Sequence, residues 1–240
     1  MAFISQDSLQ RKGTEKMTAL TPDMIAPAPW HLKGQGYLLV VHLPKSVLDN
    51  EGFISDDLVA SRRGRLAYVA FVDYQESDVG RYHELLYIGG SLKFGQKRHY
   101  SISKIYVSSQ ASVDNGQLNW GIPKELADFK VHYGKNAKDT VEVSTTTGET
   151  IAKLSFSHHL LPFPVSTKLA PKRLMTVAQQ WQGQYFFYRP EAVGHLKPAL
   201  LTASHFDKRY FPDLNQGRVL ACFKVTDFNL VFPIAKIVAQ

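Results

Sequence analysis

Thr140-Val141-Glu142-Val143-Ser144 and Ile151-Ala152-Lys153-Leu154-Ser155-Phe156, separated by a turn at Thr147-Gly148-Glu149, decide the class of fold. Apolar and polar residues alternate in both runs, the period of a strand with one buried face, and the glycine-containing turn between them predicts a β-hairpin. Phe129-Lys130-Val131-His132-Tyr133 alternates in the same way just upstream. Further out lie Tyr37 to Leu43, bounded by Gly36 and Pro44, then Leu66 to Val72, Glu84 to Ile88 and Ser101 to Val107. Downstream come Gln184 to Tyr188 and Val219 to Val231, the latter with a break at Asp227. Short apolar runs punctuated by Gly, Pro and Asp are what a closed or sandwiched β architecture needs. We expect a mainly β (α+β) chain: a closed, cone-like β-barrel with a flanking antiparallel sheet and a few short helices.

Helical signals are few. Ser108-Ser109 can cap a helix over Gln110 to Leu118, its end weakened by Gly116, and Glu125 to Ala127 reads as a single turn. The patch Leu161-Pro162-Phe163-Pro164 reads as an edge or crossover, because strand patterning resumes on both sides. Residues 1–22 are polar and aperiodic, a flexible arm, and 23–240 form one domain entered through the stiff stretch Ala26-Pro27-Ala28-Pro29-Trp30.

Composition narrows the class of function. The 240 residues are 44% hydrophobic, enough for a sizeable core, and carry a net charge of +7. The basic pairs Arg62-Arg63, Lys97-Arg98, Lys172-Arg173 and Lys208-Arg209 are scattered between apolar runs, so they read as solvated turns and not as a nucleic-acid surface. The single cysteine, Cys222, excludes an intramolecular disulfide and a cysteine-based zinc site and suits a reducing compartment. No run of 18 apolar residues spans a membrane. The expectation is a soluble cytoplasmic protein. Phosphate-loop, Gly-x-Ser-x-Gly and His-Glu-x-x-His motifs are missing, and the adjacent His158-His159 would face opposite sides of a strand and could not both bind one metal.

The segment with chemical potential is Trp120-Gly121-Ile122-Pro123-Lys124. Gly121 permits unusual backbone angles, and Pro123 fixes its own φ and pushes Ile122 toward extended geometry, so Lys124 starts from a tightly defined position. A nucleophilic lysine needs that, together with dry walls that disfavour the ammonium, which Trp120, Ile122 and Leu126 are placed to supply.

Asn119 to Ala127 resembles the catalytic-lysine motif of the acetoacetate decarboxylase family. Upstream, Ser77-Asp78-Val79-Gly80-Arg81-Tyr82-His83-Glu84-Leu85 is similar to that family's Tyr-x-Glu element, and Phe223 to Ile237, with Phe232-Pro233, to its closing strand. The resemblance covers residues 27–238. It implies that Lys124 forms an imine and that Glu84 is the active-site glutamate, with Trp120, Ile122, Arg81 and Tyr82 around the substrate. It further implies a homo-oligomer and a lyase that releases carbon dioxide from a small β-keto acid through an iminium on Lys124, with no metal or organic cofactor because the lysine itself provides the electron sink. The alternatives are an aldolase- or dehydratase-type imine enzyme acting on a larger keto acid, and a non-catalytic ligand-binding relative. Two departures stand out. Glu125 occupies the position of a second lysine, a charge that would oppose activation of Lys124 if it pointed the same way, whereas neighbours on an extended segment face opposite sides. The stretch His31 to Tyr37 lacks the arginine that the family uses on the substrate carboxylate, and a second acidic residue of that pocket falls in the apolar run near Val69. Arg81 and Arg98 are the replacements that the sequence offers.

Overall fold

The computed structural model describes residues 25–171 and 175–240. The arm expected over 1–22 lies outside the described residues. In chain order the strands are β1 (Trp30–His42), β2 (Leu66–Glu76), β3 (Tyr82–Ile88), β4 (Ser91–Phe94), β5 (Lys97–Tyr100), β6 (Lys104–Val107), β7 (Lys124–Leu126), β8 (Asp128–Tyr133) and β9 (Lys138–Ser144). They continue with β10 (Thr150–Ser157), β11 (Phe163–Ser166), β12 (Val177–Trp181), β13 (Gln184–Tyr188), β14 (Glu191–Pro198), β15 (Leu200–Phe206), β16 (Arg218–Phe232) and β17 (Lys236–Ala239). The helices are α1 (Lys45–Asn50), α2 (Asp56–Val59) and α3 (Gln110–Trp120).

The mainly β class is as expected, but the closed, cone-like barrel is not what forms. The largest sheet is open, in the order β11-β14-β16-β1-β2-β3-β6-β7, with β11 paired only to β14 and β7 only to β6 among the described residues. A four-stranded sheet (β15-β10-β9-β8) and a five-stranded sheet (β17-β13-β12-β5-β4) accompany it. Alternating runs demand one covered face and do not say whether closure or a second layer covers it. Here it is a second layer: Tyr37, Leu39, Val69 and Phe71 of the large sheet pack with Val141, Val143, Leu154 and Phe156 of the four-stranded sheet. The expected hairpin is β9–β10, in antiparallel register from Ser144↔Thr150 to Lys138↔Ser157. The proline patch opens the edge strand β11. Where a single helical turn was expected over Glu125 to Ala127, Glu125 and Leu126 instead belong to strand β7, paired in parallel with β6, and Ala127 follows it.

β1 serves two cores. Trp30 and Leu32 are buried on one face of the large sheet, and Tyr37, Leu39 and Val41 on the other. The change of face falls where the sheet is irregular. Gly34 and Gly36 sit so close to β2 that an added Cβ would lie 2.0 Å from the Asp73 carbonyl oxygen and 2.2 Å from that of Phe71. Opposite them β16 carries one extra residue between Val225 and Phe228, with Asp227 at φ 50°. The break expected at Asp227 is therefore a bulge inside a continuous strand, and it turns Phe228 onto the Trp30 face.

On the face toward the four-stranded sheet lies a buried polar cluster. Lys224 Nζ is 2.5 Å from Asp139 Oδ2, and the Tyr37 hydroxyl donates to the same oxygen at 2.6 Å. His158 Nε2 lies 3.3 Å from both Asp139 Oδ2 and Lys224 Nζ. Burial alone would raise the Asp139 carboxyl; hydrogen bonds from Lys224 and Tyr37 outweigh it and hold the group below its ordinary range. Burial, reinforced by the Lys224 charge, holds His158 below the ordinary imidazole value of 6.5. The folded state thus favours neutral imidazole, while the unfolded chain takes up the proton as pH falls through 6.5. Stability is expected to be intact above that value and to decline below it. His83, also held low by burial, adds a drop of the same sign. His158→Gln should remove part of the decline between about pH 7 and about pH 5 in denaturant titrations. A decline as steep as the parent's would count against the assignment to His158.

Candidate active site

The pleat of the large sheet brings the candidate groups to one face. In the pairing registers, Glu84 on β3 lies opposite Val107 of β6, and Ile105 of β6 lies beside Lys124 of β7. Strands are spaced by about 4.8 Å, so Glu84 and Lys124 reach toward each other across roughly 10 Å of sheet, a span suited to two long side chains.

Helix α3 fixes the lysine from above. Its cap is the expected Ser109, whose hydroxyl accepts from Ser112 N, and it runs two residues beyond Leu118 to Trp120. It stops at Gly121, which is left-handed (φ 61°) and packed so closely that a Cβ would lie 2.7 Å from Phe186 Cδ2 and 2.8 Å from Trp181 Cβ. Pro123 then closes a three-residue turn, with Lys124 N donating to Ile122 O at 2.8 Å. Gln117 Nε2 donates to Lys124 O at 3.0 Å and ties the lysine backbone to the helix.

The Lys124 side chain runs back along α3 and is 5% exposed with its residue. Nζ donates to Ser112 Oγ at 2.9 Å and forms an ion pair with Glu84 Oε2 at 3.1 Å. Ser112 and Gly116 are four residues apart and share one helix face. The lysine stem crosses that face at Gly116, where an added Cβ would meet Cδ at 2.7 Å and Cε at 2.9 Å. The Tyr82 ring lies under the ammonium at 5.2 Å and the Trp30 ring at 5.8 Å.

The remaining walls are apolar or phenolic. Leu32, Ile102, Ile105 and Ile122 join the rings of Trp30, Trp120 and Phe232 around a narrow pocket with a cavity volume of about 10 Å³. The lead-in segment is held by α3: Asn115 Oδ1 accepts from Ala26 N at 2.7 Å, and Asn119 Nδ2 donates to Ala26 O at 2.8 Å. That places Trp30 edge-on to Trp120, with ring centroids 4.9 Å apart. The Tyr74 hydroxyl donates to Glu84 Oε1 at 3.2 Å, and the Tyr82 ring packs against that of Tyr74 with centroids 4.6 Å apart. Burial first, and then the Glu84 charge, push both phenols well above their ordinary value, so they remain proton donors at any working pH.

Of the residues singled out in the sequence, Lys124, Glu84, Trp120, Ile122 and Tyr82 all line this pocket. Arg81 does not: its Nε donates to Gln75 O at 3.0 Å on the exposed turn between β2 and β3. Arg98 is likewise turned away, bonded to the Ser61 carbonyl. Glu125 sits on the opposite face of β7, 2.6 Å from Lys104 Nζ, so the alternation of an extended segment keeps its charge away from Lys124. Sequence reasoning did not find Ser112, Gly116, Tyr74, Trp30, Leu32 or Phe232. A signal for two of them existed: Ser112 and Gly116 are small residues at helical spacing in a segment already read as a helix. Among the described residues no His, Cys, Asp or Glu group is arranged to hold a metal ion.

Residues 53–176, just over half of the chain, match the family Acetoacetate decarboxylase (ADC). The chain belongs to that family. Similar solved structures span nearly its whole length. An acetoacetate decarboxylase from Legionella pneumophila subsp. pneumophila str. Philadelphia 1 superposes with a TM-score of 0.65 at 13% identity, covering 98% of each chain. An acetoacetate decarboxylase-like enzyme from Sphingomonas wittichii RW1 gives 0.64 at 12% identity, covering 93% of this chain and 98% of that one. The enduracididine biosynthesis enzyme MppR gives 0.60 at 14% identity, covering 92% and 93%. At such identities these likenesses establish the shared fold of the acetoacetate decarboxylase family and leave chemistry to be argued from the site. No curated protein sequence matches the chain. Among the described residues no helix is long and apolar enough to cross a membrane.

Proposed function

We propose that the protein is an imine-forming enzyme in which Lys124 attacks the carbonyl of a small substrate and Glu84 carries the protons. The observation that supports this is a buried lysine in a pocket, with one carboxylate 3.1 Å from its amine. Proton transfer from Lys124 to Glu84 frees the amine, which adds to the carbonyl carbon. The carbinolamine then loses its hydroxyl as water, using the proton held by Glu84, and an iminium remains beside the regenerated carboxylate. Ser112 holds the amine on line, and the phenols of Tyr74 and Tyr82 are placed to donate to a departing or developing oxygen.

With a β-keto acid, the C–C bond to the carboxylate breaks, its electrons enter the iminium and carbon dioxide leaves. This is the decarboxylase reading that family membership supports. A second reading has Glu84 remove a proton from the carbon next to the iminium, as aldol or dehydration chemistry requires. The absence of an arginine from the described pocket lining favours this second reading. Incubation with acetoacetate or pyruvate and borohydride, followed by peptide mapping, tests the shared step. A reduced adduct on Lys124 is expected. Adducts confined to other lysines, or none, would overturn the proposal, and measured carbon dioxide release separates the two outcomes.

A further inference from the structure

We propose that the segment 25–30 is a gate over Lys124, which swings off helix α3 to admit the substrate and closes again for the chemistry; this rests on the imine reading above. The argument begins with room. The cavity beside Lys124 measures about 10 Å³, on the order of one water molecule. Even a small keto compound is several times larger, and packed walls do not stretch. One wall must therefore move before the amine meets a carbonyl. Most walls are held from both flanks. Leu32, Tyr74, Glu84 and Ile105 lie on β1, β2, β3 and β6, each strand paired with a neighbour on either side. Ile122 follows the close-packed turn at Gly121, and Trp120 Nε1 donates to Pro233 O at 2.7 Å. Ile102 is bracketed by Ser101, bonded to Gln179, and by Ser103, whose N donates to Tyr87 O at 3.0 Å.

Trp30 is held differently. It is the first residue of β1, and residues 25–29 before it belong to no strand. Side-chain amides of α3 hold that segment. Ala26 N donates to Asn115 Oδ1 at 2.7 Å, Asn119 Nδ2 donates to Ala26 O at 2.8 Å, and Ala28 N donates to Asn119 Oδ1 at 3.2 Å. Trp30 Nε1 donates to the same Ala26 carbonyl at 2.9 Å, so the indole travels with the segment. The next residue is anchored, because His31 N donates to Asp78 Oδ2 at 2.6 Å, and the hinge falls between the two. The indole stands 4.9 Å from the Trp120 ring and 5.8 Å from Lys124 Nζ, centroid distances in both cases. Swinging it away widens the pocket beside the amine. Glu84, Ser112 and Tyr82 lie on other elements and keep their places. Closure then restores the dry surround that favours a free amine.

Asn119→Ala tests the gate, because it removes the bonds to Ala26 O and Ala28 N at a helix position that alanine suits. The comparison is made in a Trp181→Phe background, which leaves Trp30 and Trp120 as the fluorescent indoles. Acrylamide quenching should rise about twofold in the variant, and the rate of borohydride trapping of pyruvate on Lys124 about tenfold, as the open state becomes more populated. A thermal melt on the same samples verifies the fold. Should Asn119→Ala melt early, Asn119→Asp takes its place with smaller gains, since it still accepts from Ala28 N but cannot donate to Ala26 O. In proteins that form the adduct, no change in either readout, or a rise in one alone, would overturn the gate. A rise in quenching with no Lys124 adduct in parent or variant would sink the imine reading and keep the gate.

Discussion

Gly116→Ala is expected to reduce imine trapping on Lys124 about a hundredfold while leaving thermal stability unchanged or slightly raised. Helix propensity by itself points to a gain, since alanine is favoured over glycine in a helix interior by about 1 kcal/mol. The added methyl, however, would stand 2.7 Å from Cδ and 2.9 Å from Cε of Lys124. Those atoms belong to a flexible side chain, so the protein can yield by swinging the lysine aside at little cost to the fold. The cost falls on chemistry, because the swing breaks the 2.9 Å bond to Ser112 and the 3.1 Å pairing with Glu84. A displacement of about 1 Å at a reacting atom is enough to slow a step by roughly two orders of magnitude. Borohydride trapping rates and a thermal melt on the same sample measure both halves. Undiminished trapping in a well-folded variant would show that Lys124 does not work from the position seen here.

Asp139→Asn is expected to lower stability by about 3–5 kcal/mol, the range for removing one partner of a buried ion pair. The substitution keeps shape and one oxygen acceptor, so packing changes little. What it removes is the counter-charge of Lys224, which is 6% exposed and 2.5 Å away. A domain of ordinary stability has only about 5–15 kcal/mol to lose, so the shift in urea midpoint would be large. A second variant separates charge from packing. Asp139→Leu combined with Lys224→Met removes both charges and should recover much of the loss, as replacement of whole buried pairs often does. A single Asp139→Asn variant with parental stability would mean that the pair is not a buried ion pair in solution. The cluster faces the four-stranded sheet and Lys124 the opposite side, so trapping by the folded fraction of either variant should match the parent.

The sequence was most readable where period and turn chemistry coincide. The β9–β10 hairpin and β13 fall where the runs and turns place them, β2 starts at the expected Leu66, and α3 begins after the serine that caps it, whereas β1 starts at Trp30 and runs through the Gly36 that was expected to bound it. Closure was misjudged because an alternating strand states only that one face is covered. The face of β1 that carries Tyr37 and Leu39 is covered by another sheet, through residues a hundred positions away. The site was legible in its two ends, Lys124 after its proline turn and Glu84 beside Tyr82. Its middle was not, because the contacts of Ser112 and Gly116 with the lysine depend on how α3 lies across β7, which no local pattern encodes. Arg81 shows the same limit from the other side. It is three residues from Glu84, yet it sits on a turn that leads its guanidinium away from the pocket.

The glycine pair and bulge that let β1 change its buried face divide the labour of the protein. Trp30, Leu32, Tyr74 and Phe232 shape the pocket from one side of the large sheet, while Tyr37, Leu39 and Phe71 anchor the sandwich from the other. Pocket-side positions can therefore change without touching the sandwich contacts, and the cost of such a change falls on the second core that Trp30 and Trp120 themselves build.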